Sequence, residues 1–223
     1  PPPPCPPEGE PTETRFARVE ACAWLEAGHQ GVSSFLGIGQ AWADVDGDGR
    51  LDAYVTHDGG PNSLWLQSEP GRFRAAELPA LAVDGLVSGG ATFADFDNDG
   101  DQDLFVANVG PNALFRNDGG AWVDVASPAV AGADESYLGL WADYDADGWT
   151  DLYIVNHCTE PCPWDAVGHD RLLRNTGDGG FEDVSELLPA LSRSGYGLTG
   201  MWFDMDDDGD QDLYVVNDKG TGV

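Results

Sequence analysis

Residues 143–154 read DYDADGWTDLYI, and the same string recurs as DVDGDGRLDAYV from Asp44, DFDNDGDQDLFV from Asp95 and DMDDDGDQDLYV from Asp204. The four align without gaps and lie 51, 48 and 61 residues apart. Self-similarity at such periods marks a propeller or a solenoid. An aromatic stands two residues before each first aspartate (Trp42, Phe93, Trp141, Trp202), and an apolar run follows each last one. A third matching segment is NSLWLQ from Asn62, NALFRND from Asn112 and RLLRNTG from Arg171. A fourth begins at Phe16, Phe73, Trp122 and Phe181, clearest as WVDV and FEDV. Each unit therefore holds four strand-sized segments, A to D, separated by Gly, Asn and Asp turn signals, as in a four-stranded antiparallel propeller blade.

Along the chain there is one D segment, then three complete A–D sets, then only A and B before Val223. A ring closed by the first D segment would still lack a C strand. The sequence thus predicts an all-β fold, a β-propeller portion of about four blades over residues 14–223, expected to be a fragment of a larger ring. A complete, irregular four-bladed ring is the competing reading, since propellers run from roughly four to eight blades. Residues 1–13, beginning PPPPCPP, read as a proline-rich tail or linker.

Composition supports strands over helices: the 223 residues include 30 glycines, 15 prolines and 8 tryptophans but 2 methionines. Forty acidic residues against ten Lys plus Arg give a net charge of -30, which repels nucleic acid and anionic membrane surfaces. No apolar run approaches the roughly 20 residues that a membrane-spanning helix needs. Nineteen of the 40 acids sit in the four short windows, so something must neutralise them.

Written as D-x-D-x-D-G-x-x-D, each window offers carboxylates at positions 1, 3, 5 and 9, a backbone carbonyl at 7, and a glycine at 6 for the sharp turn. Hard oxygen ligands of this number select Ca²⁺; Mg²⁺ takes fewer protein ligands, and transition metals favour the His or Cys that the loops lack. An EF-hand reading fails, because position 12 is Val55, Val106, Ile154 and Val215 in place of the bidentate Glu, and the flanks are strand-like. Plain acidic turns are the bland reading; four copies at identical internal spacing speak against it.

The motifs WADYDADGWTDLYIVN from Trp141, NALFRNDGG from Asn112 and LLRNTGDGGFEDV from Leu172 resemble the FG-GAP and VCBS repeat proteins, and among these the bacterial relatives of cartilage acidic protein. The resemblance covers nearly everything from Phe16 to Val223. It implies an integrin-α-type propeller with about four calcium ions, one per A–B loop. The side-chain ligands it implies are Asp44, Asp46, Asp48 and Asp52; Asp95, Asp97, Asp99 and Asp103; Asp143, Asp145, Asp147 and Asp151; and Asp204, Asp206, Asp208 and Asp212. The carbonyls would come from Arg50, Asp101, Trp149 and Asp210. The stretch from Asn156 to Asp170 departs from the usual short B–C link.

Cys5, Cys22, Cys158 and Cys162 are an even set that allows three pairings. Cys158 with Cys162 can close a local loop, leaving Cys5 with Cys22. Disulfides together with a calcium-dependent fold favour an extracellular, cell-surface or periplasmic setting. A soft-metal site from His157, Cys158, Cys162 and His169 is the alternative, but its spacing matches no common zinc pattern. The aromatics Trp42, Trp141 and Trp202 are expected to pack blade against blade, whereas Trp24 and Trp164 fall in loops and Trp164 is a candidate contact residue. His29 and His57 read as ordinary residues.

The leading functional expectation is a non-catalytic calcium-binding module for adhesion, scaffolding or ligand binding. Its partner, a protein or glycan, is expected on the face opposite the acidic loops, where the Cys22–Gln40 connection and the 156–170 insertion would lie. The alternative is the propeller portion of a secreted polysaccharide-active enzyme, with Glu160, Asp165 and His169 as its best catalytic candidates.

Overall fold

The computed structural model describes residues 39–58, 60–157, 169–189 and 196–217. Fourteen strands among these form four consecutive antiparallel sheets in chain order. The first comprises β1 (Gln40–Ala43), β2 (Asp52–Val55), β3 (Ser63–Glu69) and β4 (Arg72–Ala75). The second holds β5 (Ser88–Ala94), β6 (Asp103–Asn108), β7 (Ala113–Asp118) and β8 (Ala121–Asp124). The third holds β9 (Glu135–Ala142), β10 (Asp151–His157), β11 (Arg171–Asn175) and β12 (Phe181–Asp183). A final pair, β13 (Gly197–Phe203) and β14 (Asp212–Asn217), follows. These are the three full sets and the A–B pair that the repeat predicts, and each A strand ends immediately before the first loop aspartate. Among the described residues helix is confined to α1 (Pro128–Ala131), capped by Ser127, and two single 3-10 turns.

Packing runs between sheets. One apolar layer joins Tyr54 and Leu64 of the first blade to Leu104, Val106 and Phe115 of the second. A second joins Phe105 and Leu114 to Leu152, Ile154 and Leu173, and a third sets Tyr153 and Val155 against Trp202, Leu213 and Val215. Because β6 has a blade on each side, all six of its residues are buried. This explains why the B strands read as continuous apolar runs, the pattern of a strand covered on both faces, and not as an alternation.

Two of the three A-strand tryptophans lie between blades; Trp42 is instead 41% exposed and meets Phe73 of its own blade edge-on at 5.9 Å. Trp141 stacks on Phe96 at 6.5 Å and meets Phe105 edge-on at 6.4 Å, while its indole N–H donates to Thr92 Oγ1 at 3.0 Å. Trp202 repeats the ring contacts one blade on, against Tyr144 and Tyr153. Close approach needs small residues: a Cβ on Gly139 would sit 2.4 Å from a ring carbon of Phe105, and one on Gly90 would sit 2.7 Å from the Tyr137 carbonyl oxygen.

On the side away from the acidic loops, a buried polar chain links the blades. Asn62 Nδ2 donates to Ser88 Oγ (2.9 Å), which donates to Asn108 Oδ1 (2.7 Å); the Asn108 N–H donates to Asn112 Oδ1 (2.9 Å). Asn112 Nδ2 then donates to Ser136 Oγ (3.0 Å), Ser136 to Asn156 Oδ1 (2.7 Å), and the Asn156 N–H to Asp170 Oδ1 (2.7 Å). Every member is satisfied, which is what makes burial of such groups tolerable.

Candidate metal centres in the A–B loops

All four acidic loops take one backbone path. The glycine at position 6 has φ of 84°, 96°, 91° and 95° at Gly49, Gly100, Gly148 and Gly209, the left-handed conformation that glycine adopts at no steric cost. Position 4 is also left-handed, at Gly47, Asn98, Ala146 and Asp207 (φ 58–71°). The sequence carried a partial signal for this second feature, since Gly, Asn and Asp tolerate that region, but Ala146 hides it.

The first aspartate folds the loop around itself. Asp44 accepts the N–H groups of Asp48 (3.0 Å) and Gly49 (2.8 Å), and Asp95, Asp143 and Asp204 do the same with Asp99 and Gly100, Asp147 and Gly148, and Asp208 and Gly209. Position 5 then accepts the N–H of position 7: Asp48 from Arg50, Asp99 from Asp101, Asp147 from Trp149 and Asp208 from Asp210. These bonds engage the N–H groups of the position-7 residues, whose carbonyls are the expected backbone ligands. Of the position-7 side chains, Asp101 Oδ2 accepts the Gly119 N–H at 2.7 Å and the Trp149 indole lies against Gly177, while the Arg50 guanidinium stays in its own loop and pairs with Asp48, itself an expected ligand.

Position 9 is the structural anchor. Asp52 is fully buried, as is Asp103, and Asp151 is nearly so. Asp52 accepts from the N–H groups of Val45 (3.0 Å) and Gln67 (2.7 Å), Asp103 from Phe96 and Asn117, and Asp151 from Tyr144 and Asn175; Asp212 accepts from Met205 at 2.8 Å. Each carboxylate oxygen has a second lone pair, so these bonds leave acceptor capacity toward the loop. Burial pushes the Asp103 carboxyl up to about 7 and Asp151 up to about 6, with neighbouring loop carboxylates adding to the effect and the two N–H donors opposing it. Asp52 is raised for the same first reason.

One carboxylate oxygen from each of three acids gathers within 4.8 Å in every loop. The sets are Asp44, Asp46 and Asp48; Asp95, Asp97 and Asp99; Asp143, Asp145 and Asp151; and Asp204, Asp206 and Asp212. Two ligands of one Ca²⁺, each at 2.3–2.6 Å, lie at most about 5 Å apart, so the grouping and its all-oxygen chemistry fit that ion. Asp52, Asp103, Asp147 and Asp208, also expected as ligands, are in the same loops but outside these closest groups.

Residues 44–106 and 95–154 match the family model of the FG-GAP-like repeat. The chain carries FG-GAP repeats. Among curated proteins it is similar to cartilage acidic protein 1 of Homo sapiens, 33% identical over 156 residues (64% of this chain, 22% of the relative), and to that of Mus musculus, 32% identical over 156 residues (64% and 23%). The chain thus spans under a quarter of the length of these curated relatives. A solved Agrocybe aegerita lectin, described as recognising non-reducing terminal N-acetylglucosamine, matches with TM-score 0.50 and 19% identity, covering 80% of this chain and 47% of the lectin. At that identity the likeness concerns the fold, and the blades of FG-GAP repeats described above are those of a β-propeller.

Several sequence expectations fall outside the described residues: the 1–13 tail, the D strand at Phe16, all four cysteines, Trp24, His29, Glu160, Trp164 and Asp165. His57 is buried, its ring Nε2 3.4 Å from Ser63 Oγ. His169 adjoins Asp170, and its carbonyl accepts from Asn156 Nδ2 at 2.6 Å. Among the described residues no helix is long and apolar enough to cross a membrane.

Proposed function

We propose that this chain is a calcium-binding, non-catalytic FG-GAP propeller module that works outside the cytosol in adhesion, scaffolding or ligand binding. The observation that carries the reading is the fourfold repetition of one loop geometry, with three carboxylate oxygens inside 4.8 Å each time. Carboxylates this close repel one another strongly unless a cation sits among them. Calcium would make the A–B hairpins part of a metal-dependent fold, and its abundance outside cells suits an extracellular, cell-surface or periplasmic location. The recognition of N-acetylglucosamine described for the lectin neighbour is consistent with a binding role for the blades. The residues that would hold the ions are the carboxylates at positions 1, 3, 5 and 9, with the carbonyls of Arg50, Asp101, Trp149 and Asp210.

Isothermal titration of metal-depleted protein tests this. Uptake of about four Ca²⁺ per chain, with Mg²⁺ unable to substitute, is expected; no calcium uptake at millimolar concentration overturns the reading.

A further inference from the structure

Position 2 of the acidic loop is Val45, Phe96, Tyr144 and Met205 in turn. In the second loop that residue seals the margin between blades: Phe96 is 1% exposed, and its ring lies 5.7 Å from Phe181 of β12 and 6.5 Å from Trp141. Between the first and second blades the same station holds Val45, which has no ring to reach across. A cavity of about 270 Å³ lies there, walled by Leu64, Leu66 and Trp122, with Asp46, Arg74 and Glu77 among its polar lining. Trp122 is the β8 counterpart of Phe181, so an aromatic side chain that meets Phe96 in the next interface borders open space in this one.

We propose that this cavity binds one ring of a neutral saccharide. The proposal deepens the ligand-binding reading above, on which it rests, and places the contact at the outer strands beside the first acidic loop. The Trp122 and leucine wall suits the C–H face of a pyranose, and an aromatic plane gives such a face extensive contact. The Glu77 carboxylate accepts hydroxyl protons, whereas the Arg74 guanidinium donates to hydroxyl oxygens; Asp46, also at the lining, is committed to the calcium loop. That mixed lining matches a ligand whose every edge group both donates and accepts. It disfavours a charged one: a cation meets Arg74, and an anion meets Glu77 and a chain of net charge -30. At about 270 Å³ the cavity lies just under the roughly 300–1,000 Å³ usual for ligand pockets, which suits a single ring.

The test uses the full chain saturated with Ca²⁺ and titrated with methyl glycosides of glucose, galactose, mannose and N-acetylglucosamine. Glucuronate and glucosamine serve as charged counterparts, and saturation-transfer NMR is the readout. At least one neutral glycoside is expected to bind in preference to the charged sugars. Val45→Phe, which restores the ring present at Phe96, is expected to weaken binding about tenfold or more. Glu77→Gln, at the cavity lining, should weaken it by a smaller factor and guards against a folding defect in the first variant. Absence of neutral-sugar binding, preference for a charged sugar, or full binding by both variants overturns the proposal. Ions counted on the same samples separate the two levels: full calcium without sugar binding defeats this inference alone, whereas absent calcium defeats the reading beneath it.

Discussion

The side-chain amide of Asn175 donates to the backbone carbonyl of Phe96 at 2.7 Å, tying the C strand of one blade to the acidic loop of the blade before it. Asn117 makes the same bond to the Val45 carbonyl at 3.2 Å. Each of these asparagines also gives its backbone N–H to the position-9 aspartate of its own blade. One residue type thus joins a loop's anchor to its neighbour.

Asn175→Ala removes buried bonds to the carbonyls of Phe96 and Thr150 and leaves two acceptors without that donor. A loss of about 1–3 kcal/mol is expected, measured as a lower midpoint in urea at constant slope.

Ala146 holds a left-handed φ of 58° that Gly47 reaches without a Cβ. Ala146→Gly is therefore expected to stabilise the third loop by about 1 kcal/mol, reduced by the extra freedom of glycine in the unfolded chain. Thermal unfolding of the calcium-loaded protein checks the sign.

Gly139 faces the Phe105 ring with no room for a methyl group. Gly139→Ala forces the A strand of the third blade off the B strand of the second and should cost about 1–3 kcal/mol or more, read by denaturant unfolding.

Asp170 is 1% exposed and accepts from the Asn156 N–H and the Tyr153 hydroxyl, both at 2.7 Å. Burial raises its carboxyl to about 7, against the lowering effect of those two donors. The folded value lies above the unfolded one of about 4, so the folded state holds the extra proton between them. Its contribution is present below pH 4 and is lost as pH rises through 7. The stability difference between wild type and Asp170→Asn should therefore shift against the wild type from pH 5 to pH 8; a pH-independent difference would contradict the assignment.

The blades were legible because the pattern is local. The DxDxDG string, the apolar B run and the glycine hairpins each sit within a dozen residues, and each appears where the repeat places it. Asn62 and Asn112 were visible as members of the third segment, but their role was not, because it depends on Ser88 and Ser136 in other sheets. The same limit applies to position 9: Asp103 reads as one more ligand, and only the N–H groups of Phe96 and Asn117 reveal it as a buried anchor. The cavity beside Trp122 was least legible of all, since it arises from what Val45 lacks relative to a residue 51 positions away.

The most direct measurement is thermal unfolding of metal-depleted protein with and without saturating Ca²⁺, with bound ions counted on the same samples. The account predicts about four ions and a large rise in melting temperature, because binding to the native state alone stabilises it by mass action. An unchanged transition with no bound calcium would contradict it, and would reduce the four loops to acidic turns.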